Sequence, residues 1–401
     1  MPKSPNRRTF LKSAVLAAGA SEVQAQEQQS PQPPAPDDPT KAPGSPARAY
    51  GTPSRFEKSV RTPSSQGTSS GAPLQDLNGI ITPSSLHFER HHSGVPDIDP
   101  RRHRLMIHGM VDRPLVLSMN ELKRFPSVSR IHVMECSGNG FRNQGAKTVQ
   151  EAHGLVSCSE WTGVPLATLL REVGVQSGAR WIVAEGSDAA KMTRSVPMTK
   201  AMNDVLLAYG QNGEAIRPEQ GYPLRLFVPG WEGNISVKWL RRIKVVDQPY
   251  MTREETSKYT DLMPDGKARQ FTFEMDPKSL ITYPSGGHKL ASSGFYEITG
   301  VAWSGRGAIR RVEVSVDGGQ TWREAQLQSP ALPIAFTRFR FGWKWDGSEA
   351  VLQSRCTDEH GDVQPALAEL VKARGDHWSY HFNPIQSWKV AADGSVQNAL
   401  S

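Results

Sequence analysis

The sequence has few cysteines, none of the common paired-cysteine motifs and no apolar run of membrane-spanning length. Only Cys136, Cys158 and Cys356 occur among 401 residues, so one disulfide at most could form and one thiol would be left over. The absence of Cys-x-x-Cys-His, Cys-x-x-Cys and His-Glu-x-x-His segments excludes covalently attached haem and the common zinc sites. No Gly-x-Gly-x-x-Gly segment opens a helix after a strand, which argues against a dinucleotide site.

Charge is also far from one-sided. The chain carries 47 Lys and Arg against 40 Asp and Glu, a net charge of +7. This mild excess is compatible with an anionic substrate, but it does not provide the concentrated basic face that nucleic-acid binding requires. We therefore expect no nucleic-acid partner.

The N-terminal segment predicts an exported protein. The paired arginines Arg7 and Arg8 precede Thr9-Phe10-Leu11-Lys12, a weakly apolar run over residues 13–20 and a small-residue cleavage site at Ala25. The run is too short to span a bilayer. Residues 1–25 are thus predicted to be a twin-arginine signal peptide, which exports proteins already folded. The predicted location is the periplasm, with no membrane span.

Composition divides the remaining chain into three parts. Residues 26–80 are rich in Pro, Ser, Gln and Gly and poor in apolar residues, which predicts a linker that is disordered or wraps a surface. Residues 81–265 mix short strands and helices without βαβ alternation, which predicts an α+β domain. Residues 270–390 contain regular short strands separated by turns such as Asp317-Gly318-Gly319, which predicts an immunoglobulin-like β-sandwich.

One cysteine follows a predicted strand on a glycine-rich loop. Residues 130–134 alternate in polarity and lead into Glu135-Cys136-Ser137-Gly138-Asn139-Gly140. This hexapeptide alone favours a small buried hydrophobic role for Cys136, whereas a spare thiol in an exported protein favours metal ligation. Both interpretations stay open on these residues alone, and Cys158 and Cys356 are predicted to lie in the core.

Several motifs, in order over residues 80–385, resemble the sulfite oxidase family of molybdenum enzymes. They are Phe88 to His92 with Val95-Pro96, Cys136 to Asn139, Trp161 to Val164, Gly221 to Arg225, Ser236 to Leu240 and Val314 to Trp322. The resemblance implies an α+β molybdopterin-binding domain of the sulfite oxidase type followed by an immunoglobulin-like dimerisation domain. The implied cofactor is molybdenum with molybdopterin, and no haem is expected in this chain.

The resemblance also implies roles for individual residues. Cys136 is the implied molybdenum ligand, and a thiolate is a soft ligand that suits such a metal. Arginine is suited to an anionic sulfur substrate because its planar fork matches an oxyanion. The implied catalytic residues are Arg90, Arg142, Tyr259 and Arg374. The implied cofactor-binding residues are Phe88, Glu89, Arg90, His91, His92, Asp188, Gln220, Arg225, Ser236, Val237 and Lys238.

The loop after Cys136 departs from the family's pattern. Animal and plant sulfite oxidases carry an arginine pair there, and one of the two enters the sulfite pocket. In this chain Phe141 occupies the matching place, and Arg142 either substitutes for the arginine or points elsewhere. A less charged pocket suits a substrate bulkier than free sulfite. The loop and the Pro-rich leader are most similar to the molybdenum subunit of sulfane dehydrogenases within that family.

The resemblance therefore predicts a periplasmic oxidoreductase of thiosulfate and sulfur oxidation. It would oxidise a sulfane sulfur on a carrier protein, with oxygen taken from water. The electrons would pass to a c-type cytochrome subunit, because this chain has no haem motif. The expected assembly is a homodimer through the C-terminal domain or a heterotetramer with the cytochrome.

Three alternatives stay open. The first is a periplasmic sulfite dehydrogenase acting on free sulfite. The second is a reductase of oxidised methionine from the same superfamily, which lacks a C-terminal sandwich, so residues 290–372 count against it. The third is a binding or scaffold protein with an immunoglobulin-like module, which would contain no metal.

Overall fold

The computed structural model describes residue 41 and residues 43–140, 145–375 and 380–399 of the 401-residue chain. The predicted signal peptide over residues 1–25 lies outside the described residues, as do Phe141 and the predicted catalytic residue Arg142. The chain divides into a unit Met1–Glu57 and a unit Lys58–Ser401. The strands and helices given below all belong to the second unit.

β-Sheet dominates this second unit. Its strands are β1 (Thr62–Pro63), β2 (Ser69–Gly71), β3 (Glu89–Arg90), β4 (Arg104–Gly109), β5 (Leu115–Ser118), β6 (Val128–Glu135), β7 (Val156–Pro165), β8 (Trp181–Gly186), β9 (Thr193–Pro197), β10 (Leu206–Gln211), β11 (Glu214–Ala215), β12 (Arg225–Phe227), β13 (Leu240–Val246), β14 (Asp261–Leu262), β15 (Ala268–Arg269), β16 (Lys278–Tyr283), β17 (Gly294–Trp303), β18 (Ile309–Ser315), β19 (Arg323–Glu324), β20 (Gln326–Leu327), β21 (Thr337–Trp345), β22 (Ala350–Asp358), β23 (Ser387–Val390) and β24 (Val396–Asn398).

The helices of this unit are short. The α-helices are α1 (Met119–Leu122), α2 (Val149–His153), α3 (Leu166–Val173), α4 (Met198–Ala201), α5 (Arg253–Ser257) and α6 (Leu367–Arg374), and 3-10 turns span Ser84–Leu86, Pro218–Gln220 and Gly233–Ile235. The predicted capping box is confirmed, because the Ser118 side chain accepts from the Glu121 N–H and the Glu121 side chain caps in return. The first domain is thus richer in sheet than the predicted α+β class suggests.

Residues 58–80, at the end of the segment predicted to be a disordered or surface-wrapping linker, belong to the second unit. β1 pairs with β2, and β2 pairs with β3, so residues 62–71 are joined to the strand that contains Arg90. Ala72 and Leu74, which follow β2, are fully buried. Main-chain pairing and the burial of these two side chains hold the segment against the rest of the unit. Neither feature could be predicted from the composition of the segment.

Two five-stranded sheets form most of the first domain. One has the order β11-β10-β7-β6 with β12 also paired to β10, and the other has the order β5-β4-β13-β8-β9. The β4–β13 pair is parallel and the other pairs of these sheets are antiparallel. β6 and β7 pair along their length from Val128↔Gly163 to Glu135↔Val156, which fixes where the chain leaves β6 and enters the Cys136 loop.

Two antiparallel sheets form the C-terminal domain, with orders β16-β17-β21-β20 and β19-β18-β22-β23-β24. Their apolar side chains share one core with residues of β6 and β7. Trp303, Phe339 and Trp388 are fully buried in it, and each such side chain contributes roughly 1.5–3 kcal/mol. Cys158 and Cys356 are also buried in this core, as predicted.

Among the residues that the structure describes, no helix is both long enough and apolar enough to cross a membrane.

Candidate active site

A cavity of about 630 Å³ lies beside Cys136. The cavity brings together residues that are far apart in sequence, from the β3 region, the Cys136 loop and the segments before and after β12. The lining residues are Phe88, Arg90, His91, His92, Cys136, Asp188, Met192, Gln220, Arg225, Gly233, Asn234, Ser236, Val237, Lys238, Trp239 and Tyr259.

Cys136 is placed by the end of β6 and a tight turn. Its N–H donates to the Leu155 carbonyl at 2.9 Å, and its carbonyl accepts from the Asn139 N–H at 2.8 Å. Burial raises the pKa of the Cys136 thiol, while the Gly138 N–H and the charge of Arg90 oppose that rise. A bound metal would favour the thiolate. The thiol is thus held at the cavity wall in a position where a metal can reach it.

Two cations, the buried Arg225 and the half-buried Lys238, also line the cavity. Arg225 donates from Nη1 to the Gln220 carbonyl at 3.1 Å, but its buried Nε has no hydrogen-bond partner among the described residues. Lys238 donates to the carbonyls of Arg90 and Glu219 at 2.8 and 2.9 Å. Neither forms an ion pair with a carboxylate in the described part of the chain.

The titration of these cations reflects their burial. Desolvation lowers the pKa of Arg225 to about 9, and burial with the charge of Arg225 lowers the pKa of Lys238 to about 7. Buried charges that lack a counter-charge are costly, and an anionic ligand would offset that cost. The two side chains therefore fit the phosphate of a pterin cofactor.

The polar groups of Ser236, predicted to contact the phosphate, already form hydrogen bonds within the protein. Its N–H turns back to the Gly233 carbonyl at 3.2 Å, and its hydroxyl accepts from the Val228 N–H at 3.0 Å. Val237 lines the cavity beside it, and its carbonyl accepts from Leu226. Lys238 and Arg225 are thus better placed to contact an anion than the Ser236 backbone.

Arg90 and Tyr259 enter the cavity from different segments. Arg90 donates from Nη1 to the Thr68 carbonyl at 3.4 Å, and it forms no ion pair within the described chain. The buried Tyr259 has its hydroxyl 3.2 Å from His92 Nε2. Burial lowers the pKa of His92 to about 4, so the neutral imidazole can accept the phenol proton in a hydrogen bond at neutral pH. Their catalytic roles stay predictions.

Glu89 and Arg374 do not line this cavity. Glu89 forms an ion pair with Arg61 at 3.1 Å and lies 3.3 Å from His91 Nε2. Arg374, the last residue of α6, donates to Asp276 Oδ2 at 2.6 Å. Arg374 is thus paired with Asp276, a residue that the sequence did not point to, and its predicted contact with substrate stays a prediction.

A second, smaller cavity of about 230 Å³ also touches Cys136. Three carboxylates are among the residues that line it. The lining residues are Glu135, Cys136, Ser137, Asn139, Glu232, Asp276, His381, Phe382 and Asn383. His381 Nδ1 is 2.7 Å from Glu232 Oε1. Burial, reinforced by Glu135 and Asp276, raises the pKa of Glu232 well above its usual range. Burial lowers the pKa of His381 to about 4.

Several cavity residues were not predicted as site residues. Trp239 lies within the Ser236 to Leu240 motif and Asn234 lies two residues before it, so this motif was a usable signal for both. Trp239 adopts a left-handed backbone with φ of 53°, and its Nε1 donates to the Pro218 carbonyl at 2.9 Å. Met192 and the Glu232–His381 pair had no sequence signal, because only the fold brings them to Cys136.

Two families of known domains match the chain. Residues 92–254 match the oxidoreductase molybdopterin binding domain, and residues 269–386 match the Mo-co oxidoreductase dimerisation domain. The exact boundaries predicted at 81–265 and 270–390 stay predictions.

The chain is also similar to solved and characterised proteins. It matches the crystal structure of the sulfane dehydrogenase SoxCD from Paracoccus pantotrophus with 46% identity and a TM-score of 0.88, over 90% of this chain and 96% of that one. It is 32% identical over 328 residues to mitochondrial sulfite oxidase of Mus musculus, over 74% of this chain and 60% of that protein. It is 34% identical over 313 residues to an NADH nitrate reductase of Brassica napus, over 68% of this chain and 34% of that protein.

The residues around the cavity fit the group that these domains bind. Cys136 offers a soft metal ligand. Arg225, whose Nε has no hydrogen-bond partner among the described residues, and the half-buried Lys238 offer positive charge. The chain belongs to the sulfite oxidase family of oxidoreductases and binds molybdenum with molybdopterin.

Proposed function

We propose that this chain is the molybdenum subunit of a periplasmic sulfane dehydrogenase. It would oxidise a sulfane sulfur carried on a cysteine of a carrier protein, in thiosulfate and sulfur oxidation. The observation that carries this proposal is one cavity lined by Cys136, by Arg90, which forms no ion pair among the described residues, and by the cations Arg225 and Lys238. The likeness to the SoxCD structure over 90% of this chain supports the sulfane substrate.

The chain's own side chains would hold the cofactor. Cys136 would bind the metal through its sulfur, and Arg225 and Lys238 would contact the anionic end of the pterin. Gln220, which also lines the cavity, donates from Nε2 to the Phe88 carbonyl at 2.7 Å and so fixes the β3 side of the wall. When bound, this group supplies oxygen-atom transfer and accepts two electrons for each oxygen transferred.

The remaining polar residues would bind and orient the sulfur substrate. Arg90 would attract its negative charge, because the guanidinium has no carboxylate partner in the described chain. Tyr259 would hold its phenol proton toward His92 Nε2, so that its oxygen presents a lone pair to the cavity. The cavity wall formed by Phe88, Met192 and Trp239 would exclude water from around the reacting sulfur.

The assembly is part of the same proposal. Electrons would pass to a c-type cytochrome subunit, because the sequence has no haem-attachment motif. The C-terminal sheets would form an immunoglobulin-type sandwich through which two copies pair, as the match to a dimerisation domain supports. Export would follow the twin-arginine route directed by residues 1–25.

A second candidate function is oxidation of free sulfite. Arg90 favours it, because a guanidinium that forms no ion pair among the described residues could bind a small oxyanion. The similarity to sulfite oxidase of Mus musculus also supports it, although the chain covers only 60% of that protein. The two candidate functions can be separated by comparing the turnover of a carrier-bound sulfane with that of free sulfite by one purified enzyme.

The test uses the natively exported protein with a cytochrome c or dye acceptor. Elemental analysis should give one molybdenum per chain. Turnover should be faster with a carrier protein whose cysteine bears a sulfane than with free sulfite at the same concentration. Equal or faster turnover of free sulfite would replace the first proposal by the second, and a chain without molybdenum would overturn both.

A further inference from the structure

We infer that the C-terminal domain is part of the metal site, because Lys278 and Trp303 hold Glu135 and thereby position the loop that carries Cys136. This goes beyond a dimerisation role for the domain. It rests on the proposed function, since it takes Cys136 as the molybdenum ligand. Glu135, Lys278 and Trp303 are positioning residues in this arrangement.

The contacts on Glu135 use both of its carboxylate oxygens. Oε1 accepts from Lys278 Nζ at 2.8 Å and from Asn139 Nδ2 at 2.9 Å. Oε2 accepts from Trp303 Nε1 at 2.8 Å. Asn139 belongs to the Cys136 loop, and its own Oδ1 accepts from the Leu155 N–H at 3.0 Å. The carboxylate therefore joins the C-terminal domain to both ends of that loop.

Strand pairing places the two donors together. Lys278 begins β16 and Trp303 ends β17, and these two residues are partners in the antiparallel register. The ends of two neighbouring strands thus present an ammonium and an indole N–H to one carboxylate. Because main-chain pairing fixes both donors, their position depends on the C-terminal sheet and not on a mobile side chain alone.

Burial makes this arrangement costly unless all its members are present. Lys278 and Trp303 are fully buried, and Glu135 is 8% exposed. Lys278 Nζ has a second acceptor in the Phe382 carbonyl at 2.7 Å. Loss of one partner of a buried ion pair leaves an uncompensated charge, whereas an apolar pair would pack in the same space at less cost. The charges are better explained by a role at Cys136 than by packing.

Two further contacts join the C-terminal segment to the same loop. The His381 N–H donates to the Ser137 carbonyl at 2.8 Å. Gly140, with φ of +91°, packs so closely that an added Cβ would lie 2.7 Å from Phe382 Cδ1. The loop is therefore held at Glu135, Ser137 and Gly140 by residues beyond 277, and it cannot shift independently of them.

The C-terminal domain would therefore affect the midpoint potential of the bound metal as well as its retention. Groups that orient a metal ligand typically change metal affinity or activity by about 10- to 100-fold when mutated. The charge on Glu135 lies one residue from the ligand, and Lys278 neutralises it. Removal of either charge alone should shift the midpoint potential of the bound metal, in opposite directions, and removal of both should restore it.

The experiment compares five variants of the exported, molybdenum-loaded protein, one of which is a control. Lys278→Met should lower the midpoint potential, Glu135→Gln should raise it, and the double variant should return close to the wild type in redox titration. Trp303→Phe, which keeps the aromatic packing, should lower molybdenum retention during dialysis by about 10-fold or more. Ser304→Ala is the matched control, because it removes a buried 2.8 Å hydrogen bond to Asp358 in the same domain without touching Glu135.

Folded Lys278→Met and Trp303→Phe proteins with the wild-type midpoint potential and molybdenum retention would overturn the inference. A Ser304→Ala protein that loses molybdenum equally would also overturn it, because general loosening of the domain would then suffice. If Lys278→Met does not fold, Trp303→Phe decides. Failure of the proposed function is distinguishable, since it would appear as a wild-type chain that carries no molybdenum.

Discussion

The two cavities that share Cys136 differ in the ionisable residues that line them. The larger one, of about 630 Å³, is lined by Arg90, Arg225 and Lys238 with Asp188 as its one carboxylate among the described lining residues. The smaller one, of about 230 Å³, is lined by Glu135, Glu232 and Asp276. Cys136 thus lies between a cavity lined by cations and a cavity lined by carboxylates, two of which, Glu135 and Asp276, are paired with Lys278 and Arg374. The first cavity is the one that would suit an anionic cofactor.

The largest expected effect is at the shared residue itself. Cys136→Ser should lower turnover by on the order of 10³-fold or more and leave the fold intact, because the hydroxyl is a poor ligand for a soft metal site. Turnover with the preferred sulfur substrate and circular dichroism measure the two effects. Cys356→Ala is the control, since this cysteine is buried in β22 away from both cavities, and it should keep turnover. Normal activity of a folded Cys136→Ser protein would remove the basis of the comparison.

A substitution of Arg225 tests whether the larger cavity binds an anionic cofactor. Arg225→Met should reduce pterin and molybdenum retention by roughly 10- to 100-fold, the scale of a lost charged hydrogen bond. The cofactor-free protein should become more stable, because an uncompensated buried cation has been removed. Cofactor content after dialysis and the melting temperature of the cofactor-free chain measure these opposite effects. The exposed Arg101→Met should change neither, and a stabilised variant that keeps all its cofactor would show that Arg225 contacts no anion.

Arg374 tests whether the two cavities communicate. Arg374→Ala should raise KM roughly tenfold, about 1.4 kcal/mol, with molybdenum content unchanged. The reason is that Asp276 would lose its 2.6 Å partner and add negative charge next to Cys136, which disfavours an anionic substrate. The double variant with Asp276→Asn should restore KM. If KM stays high in the double variant, Arg374 binds the substrate directly, and loss of molybdenum would make it structural.

The smallest expected effect is that of a Glu232 substitution on the melting temperature, and it depends on pH. Its folded pKa is raised by burial, so its contribution to stability is fully present below the unfolded value near 4.5 and is lost as pH rises toward the folded pKa. Glu232→Gln should therefore raise the melting temperature at pH 8 but not at pH 4, by about 2 °C for each kcal/mol. The exposed Glu324→Gln should show no such difference. An equal shift at both pH values would mean that Glu232 carries no raised pKa.

The positive cavity could be predicted from the sequence far better than the acidic one. Phe88, Cys136, Arg225 and Lys238 lie in motifs with recognisable order, and the fold brings all four to one cavity. Glu232, Asp276 and His381 carry no such motif. Their proximity depends on how the C-terminal sheets pack against β6 and β7, which is a long-range contact that local pattern does not encode.

The same distinction holds for the fold. The strand that ends at Glu135 and the core positions of Cys158 and Cys356 followed from alternation and burial of apolar residues. The folding of residues 58–80 did not, because main-chain pairing of β2 with β3 compensates for a composition that is poor in apolar residues. The predicted roles of Phe141 and Arg142 stay predictions, since both residues lie outside the described residues.

The most direct measurement is an anomalous-scattering map at the molybdenum edge, from crystals of the natively exported protein. We predict one molybdenum peak per chain, within bonding distance of Cys136 Sγ and on the side of the larger cavity. A peak bound elsewhere, or a well-ordered chain without any molybdenum peak, would contradict the account.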